Sequence, residues 1–121
     1  MTADLVYKVL RPAEWAAAQE TGQFAGSRDD QRDGFVHLSA AHQVRGVCDR
    51  YFGGESALVL LTIEAARLGP PLKWEISHKG EAFPHLYGSL PLALVQSIAD
   101  IRRGEDGRLA FPPEIPDVRP D

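Results

Sequence analysis

One run constrains the architecture more than any other: Ala57-Leu58-Val59-Leu60-Leu61-Thr62-Ile63 carries no charge and a single polar side chain. A strand stays apolar at successive positions only when both its faces are covered, so this run predicts the centre of a sheet. Gly53-Gly54 precedes it, and a short helical turn is expected at Glu64 to Leu68, stopped by Gly69-Pro70-Pro71. Leu5-Val6-Tyr7-Lys8-Val9-Leu10 is rich in β-formers and predicts a first strand, also covered on both faces. A chain of 121 residues can enclose such strands in one domain, burying roughly two-thirds of the surface of the unfolded chain. No internal repeat is visible. We expect one domain over 1–110 and a proline-rich tail over 111–121, where four prolines fall in eleven residues.

The remaining elements follow from local signals. Pro12 opens a helix through Ala13 to Gln19 that Thr21-Gly22 ends, with Trp15 as its core anchor. Gly26 to Gly34 is polar and flanked by glycines, which predicts an exposed loop. Phe35 to Leu38 reads as a brief strand, with Ser39 capping a helix that continues to Phe52 and buries Val44, Val47, Cys48, Tyr51 and Phe52. Leu72 to Ser77 alternates, placing Leu72, Trp74 and Ile76 on one face and Lys73, Glu75 and Ser77 on the other. His78-Lys79-Gly80-Glu81 predicts a turn, with His78 and Glu81 facing solvent. Pro84 makes Phe83 to Gly88 an irregular or edge segment, because proline cannot donate to a ladder. Leu92 to Ile101 reads as a strand, although its apolar spacing also fits a helix.

Composition narrows the function. Thirteen Lys and Arg against seventeen Asp and Glu leave a net charge of −4, which argues against broad attraction to nucleic-acid backbones. That balance leaves room for a small phosphorylated ligand; Arg102-Arg103 with Arg28, Arg32, Arg45 and Arg50 read as solvated surface residues, with a local basic patch as the less common alternative. The lone Cys48 is expected as a buried core residue. With no basic N-terminal segment leading into an apolar run, and no membrane-length stretch, a soluble cytoplasmic protein is expected. Rossmann and P-loop glycine crests, a nucleophile elbow and the common metal-ligand spacings are absent, so no metal site is expected.

Two of the four histidines stand in apolar, partly aromatic settings beside hydroxyls: Gly34-Phe35-Val36-His37-Leu38-Ser39 and Phe83-Pro84-His85-Leu86-Tyr87-Gly88. Such places poise an imidazole near neutrality, because desolvation and a neighbouring carboxylate pull it in opposite directions. Residues two apart in extended chain share a face, so His37 can work with Ser39 and His85 with Tyr87. The first pair reads as a catalytic pair, as a sugar or phosphate ligand, or as a buried histidine beside an ordinary cap. Glu75 is the carboxylate best placed to join the second pair, unless it is a solvated strand residue paired with Lys73 or Lys79.

These segments, with Tyr7-Lys8-Val9, Trp15, Gln43, Leu58 to Ile63, and Leu72-Lys73-Trp74-Glu75, resemble the bacterial family catalogued as domain of unknown function 952. The resemblance implies an α+β fold: small split mixed β-sheets around a cleft with two or three helices, akin to ADP-ribosyltransferases and RNA 2′-phosphotransferases. By that analogy His37 approaches a nicotinamide ribose and Glu75 is the late catalytic acid. The implied site has His37, Glu75 and His85 as catalytic residues, and Ser39, Tyr87, Gln43 and Trp74 as ligand contacts. The implied ligand is NAD, ADP-ribose or a phosphorylated nucleotide. The alternative is a noncatalytic module for a small molecule or peptide, in which the histidines are structural.

Overall fold

In the computed structural model, which describes residues 4–77 and 80–116, the elements run β1 (Leu5–Leu10), α1 (Pro12–Thr21), β2 (Gln23–Phe24), α2 (Arg28–Asp33), β3 (Val36–His37), α3 (Val44–Tyr51), β4 (Ala57–Glu64), α4 (Ala65–Leu68), β5 (Leu72–Ile76), β6 (Ala82–Leu86), β7 (Leu90–Pro91) and β8 (Val95–Arg102). The apolar run is the central strand that its composition requires, since β4 lies between β1 and β8. Alternate side chains along β1 and β4 enter different cores. Val6, Leu10, Val59, Leu61 and Ile63 meet Phe24, Val36, Leu38, Leu86 and Leu90 on one face. Tyr7, Val9, Leu58, Leu60 and Ile101 meet Val44, Cys48 and Ile115 on the other. Each fully buried Leu, Ile or Val contributes about 1.5–3 kcal/mol relative to exposure. Burial pushes the Cys48 thiol up to about 12, in keeping with a packing role.

A second three-stranded sheet, ordered β3-β6-β5, carries both histidine segments, and β2 pairs with β7. The two larger sheets are tied by a reciprocal backbone bridge, Tyr7 N–H to Ser39 O at 2.8 Å and Ser39 N–H to Tyr7 O at 2.9 Å. The fold is α+β, but all strand pairs among the described residues are antiparallel, and there are four α-helices. This corrects the expected mixed sheets and two or three helices. The stretch joining β5 to β6 is far too short for the crossover that parallel neighbours need.

Several local expectations also change. Ser39 is held in the bridge to Tyr7, so it does not cap the next helix; a 3-10 turn at Ala41–Gln43 leads into α3 instead. Tyr51 is 57% exposed, because it lies at the end of α3 rather than on its buried stripe. Pro84 sits within the middle strand of its sheet. It is tolerated there because the β3 ladder stops at the His37–His85 pair, leaving Pro84 just beyond it with its carbonyl accepting from Leu38 N–H at 3.0 Å. The ambiguous stretch resolves into a 3-10 turn, Leu92–Leu94, followed by β8. Residues 111–116 form no helix or strand, yet Ile115 is buried in the second core. His78, Lys79 and 117–121 lie outside the described residues. No helix among the described residues is long and apolar enough to cross a membrane.

Candidate functional site

The segment expected as a loop is the helix α2, and it supplies a buried carboxylate. Ser27 Oγ accepts from Asp30 N–H at 3.2 Å while Asp30 Oδ2 accepts from Ser27 N–H at 2.9 Å, a reciprocal cap that starts the helix. Gly34 ends it at φ 89°, a left-handed conformation that favours glycine. Asp30 is only 2% exposed, and its remaining acceptor capacity is filled by Lys8 Nζ at 3.0 Å, His37 N–H at 3.0 Å and His37 Nδ1 at 2.6 Å. Lys8 also donates to the His37 carbonyl at 3.0 Å, which is how a lysine survives in a strand otherwise apolar. Burial raises the Asp30 carboxyl's pKa, but the His37 hydrogen bond, the Lys8 charge and the backbone N–H groups outweigh it and hold it well below the usual carboxylate range. Burial depresses the Lys8 ammonium against the pull of Asp30.

Strand pairing sets His37 directly opposite His85, so the two imidazoles project from one face of the sheet. Their ring centroids are 5.6 Å apart at 71°. Phe35 stacks on His85 at 4.0 Å and leans against Tyr87 at 5.3 Å. His85 is 5% exposed, and its Nδ1 lies 2.7 Å from Glu75 Oε1. The same oxygen accepts from the Tyr87 hydroxyl at 2.7 Å. The bonds from His85 and then Tyr87 lower the Glu75 pKa, and an ionised carboxylate only accepts. His85 Nδ1 is therefore the donor, and in the neutral ring Nε2 keeps its lone pair. His37 differs, because its Nε2 also meets a carboxylate, Asp33 Oδ2 at 3.0 Å.

His37, Ser39 and His85 line a cleft of about 450 Å³, inside the range of small-molecule sites. Ser39 is buried, and its hydroxyl has no hydrogen-bond partner among the described residues. The acids on the walls are all answered: Asp30 by Lys8, Asp29 and Asp33 by Arg32, and Glu14 by Arg11. Arg28 and Arg50 also line the cleft and form no ion pair with a described residue. Glu75 and Tyr87 stand behind His85 and reach the cleft through it.

The other two expected ligand contacts do not join them. Gln43 is spent within the fold, with Oε1 accepting from Ala40 N–H at 2.9 Å and Nε2 donating to Glu81 at 2.9 Å and to the Ala82 carbonyl at 2.8 Å. His42 adds a contact to Glu81 at 2.9 Å, so that carboxylate is engaged rather than simply facing solvent. Trp74 lies on the face of β5 opposite Glu75. Asp30, Asp33, Arg28 and Arg50 line the cleft although they were not among the expected site residues, and Phe35, from the first histidine motif, joins the site by stacking on His85. Two signals pointed to Asp30: the Ser27-x-x-Asp30 spacing of a capping box, and a lysine in an apolar strand that required an acid. Among the described residues no group of three or more His, Cys, Asp or Glu is arranged to hold a metal ion.

The chain is similar to solved structures of protein CC0527 from Caulobacter crescentus. Its crystal structure is 46% identical, with a TM-score of 0.83 over 88% of this chain and 93% of that one. Its solution NMR structure is 48% identical, with a TM-score of 0.76 over 85% of this chain and 89% of that one. No curated protein matches. The model of the family described as "Protein of unknown function (DUF952)" matches residues 9–98, which include the end of β1, both histidine strands and Glu75, and the chain belongs to that family.

Proposed function

We propose that the cleft binds a phosphorylated nucleotide of the NAD or ADP-ribose class and that His85 serves as its proton acceptor, in a transferase-like domain related to the ADP-ribosyltransferases. The observation that carries this reading is the meeting in one cavity of Arg28 and Arg50, which form no ion pair with a described residue although Arg50 lies over the Tyr51 ring at 5.4 Å, with an uncommitted imidazole nitrogen and the Ser39 hydroxyl. Guanidinium groups bind phosphate through charge-assisted hydrogen bonds. Glu75 acts as a positioning residue, holding the His85 ring so that Nε2 can take the proton of a substrate hydroxyl. His37, fixed between Asp30 and Asp33, forms a polar wall beside Ser39.

Isothermal titration with ADP-ribose and NAD tests this. Saturable binding is expected, weakened about tenfold by Arg28→Ala or Arg50→Ala, with adenosine binding far less tightly than ADP-ribose. No heat at millimolar ligand, or equal affinity for adenosine, overturns the reading. The structural alternative draws on the full engagement of both His37 nitrogens. It prevails if substitution of His85 lowers Tm while no nucleotide raises it.

A further inference from the structure

Among the described residues β5 pairs only with β6, so its outer edge presents unpaired backbone groups beyond Leu72, whose N–H donates to the Gly69 carbonyl at 3.0 Å. Lys73 and Glu75 are the charges on this short edge strand, and no bulge breaks it. Leu72 to Ile76 contains no proline or glycine, and Trp74 and Ile76 are 49% and 72% exposed. The five residues Leu72-Lys73-Trp74-Glu75-Ile76 are also complementary to themselves when read in the opposite direction. With an antiparallel copy centred on Trp74, Lys73 stands opposite the partner's Glu75, Leu72 opposite the partner's Ile76, and Trp74 opposite its own counterpart. Sliding to the adjacent registers that keep the same faces together sets Lys73 against Lys73 or Glu75 against Glu75, which like-charge repulsion disfavours.

We propose that the protein forms a two-fold dimer by antiparallel pairing of β5 with β5 of a second copy, in the register centred on Trp74. Charge complementarity selects a second copy over an unrelated strand, because one segment supplies both members of each ion pair. Joining the two edges makes one six-stranded sheet and extends the apolar row that Leu72 begins at the first core. The two-fold axis stands normal to the sheet, so both histidine faces remain on the same side. Each Lys73 then comes beside the partner's Glu75, whose Oε1 stays with His85 and Tyr87. The dimer thus adds a cation from one copy to the proton-accepting unit of the other. This inference stands independently of the nucleotide reading.

The full chain is expected to run as a dimer in size-exclusion chromatography with light scattering. Trp74→Cys should form a disulfide-linked dimer under mild oxidation, because directly opposed residues have Cα atoms about 4.5–5.5 Å apart, within disulfide reach. Leu72→Cys should not, since it faces the partner's Ile76. The native Cys48 is buried and stays silent. Lys73→Glu and Glu75→Lys should each weaken association about tenfold, and mixing the two variants should restore it, because both ion pairs are then re-formed across the heterodimer. Circular dichroism checks that each variant is folded; if Trp74→Cys is not, the mixing experiment decides alone. A wild-type chain that stays monomeric at millimolar concentration overturns the proposal, as does a dimer that folded Trp74→Cys leaves uncrosslinked or a mixture that fails to associate.

Discussion

The two acid–histidine units of this protein use the same residue types to opposite ends. In the unit of α2 and β3, Asp30 is buried, takes four hydrogen bonds, and joins Lys8, Ser27 and His37. In the unit of β5 and β6, Glu75 is partly exposed, and it receives two donors on one oxygen while His85 keeps a ring nitrogen uncommitted toward the cleft. The first unit is closed, so its energy goes into tying β1, α2 and β3 together. The second is open, and an open imidazole held by a carboxylate is what proton transfer uses. The presence of a histidine–carboxylate contact is therefore not the functional signal; the remaining free valence is.

The contrast predicts its largest effect at Asp30. Asp30→Ala leaves the Lys8 ammonium buried without a carboxylate and strips the partners from two backbone N–H groups, which should cost about 3–5 kcal/mol in denaturant unfolding. Acidification should reproduce part of that loss. A carboxyl with a depressed folded pKa adds stability that is fully present above its unfolded value, about 3.9, and that disappears as pH falls through the folded value. Stability should thus fall with pH below about 4, and Asp30→Asn should flatten that limb. A variant as stable as wild type at every pH would show that the first unit does not hold the fold.

What could be read in advance follows the same division between local and long-range causes. Apolar runs located β1 and β4, because burial on both faces leaves a continuous signal in the sequence, whereas the spacing before and within β8 fitted strand and helix alike. The two histidine strands were visible, but their register was not, since nothing local shows that His37 faces His85. Ser39 looked like a cap because the competing bridge to Tyr7 comes from a strand 32 positions upstream. Trp74 and Ile76 were placed correctly on one face of β5, yet that face is largely uncovered; alternation tells which residues share a side and not whether anything packs there. The α2 segment was misread for a different reason. Its polar composition resembles a loop, and the apolar stripe that normally marks a helix is replaced by one buried acid.

Glu75→Gln should invert the Asp30 result. The amide keeps the shape and an acceptor for His85 Nδ1, so Tm should hardly move. The lost negative charge should slow acylation of His85 by diethyl pyrocarbonate several-fold, because Nε2 is less nucleophilic without a carboxylate on the opposite nitrogen. Nitrogen-15 NMR of the ring should still find the Nδ1–H tautomer. A fall in Tm comparable to that of Asp30→Ala would mean that the second unit is as structural as the first, and the distinction between them would collapse.

Tyr87→Phe should be the mildest change and the sharpest test of how Glu75 is tuned. The ring stays, preserving its contact with Phe35 and its place beneath the Lys73 ammonium 5.2 Å from the centroid, so thermal stability should match wild type. Only the hydroxyl that donates to Glu75 is removed. That bond is one of two that lower the carboxyl's pKa, the His85 bond being the larger, so its loss should move the Glu75 titration upward toward the ordinary glutamate value. Carbon-13 NMR of the side-chain carboxyl reads this directly. An unchanged midpoint would leave the His85 bond and the Lys73 charge as what holds Glu75 down, and Tyr87 would drop out of the unit while the comparison with Asp30 survived.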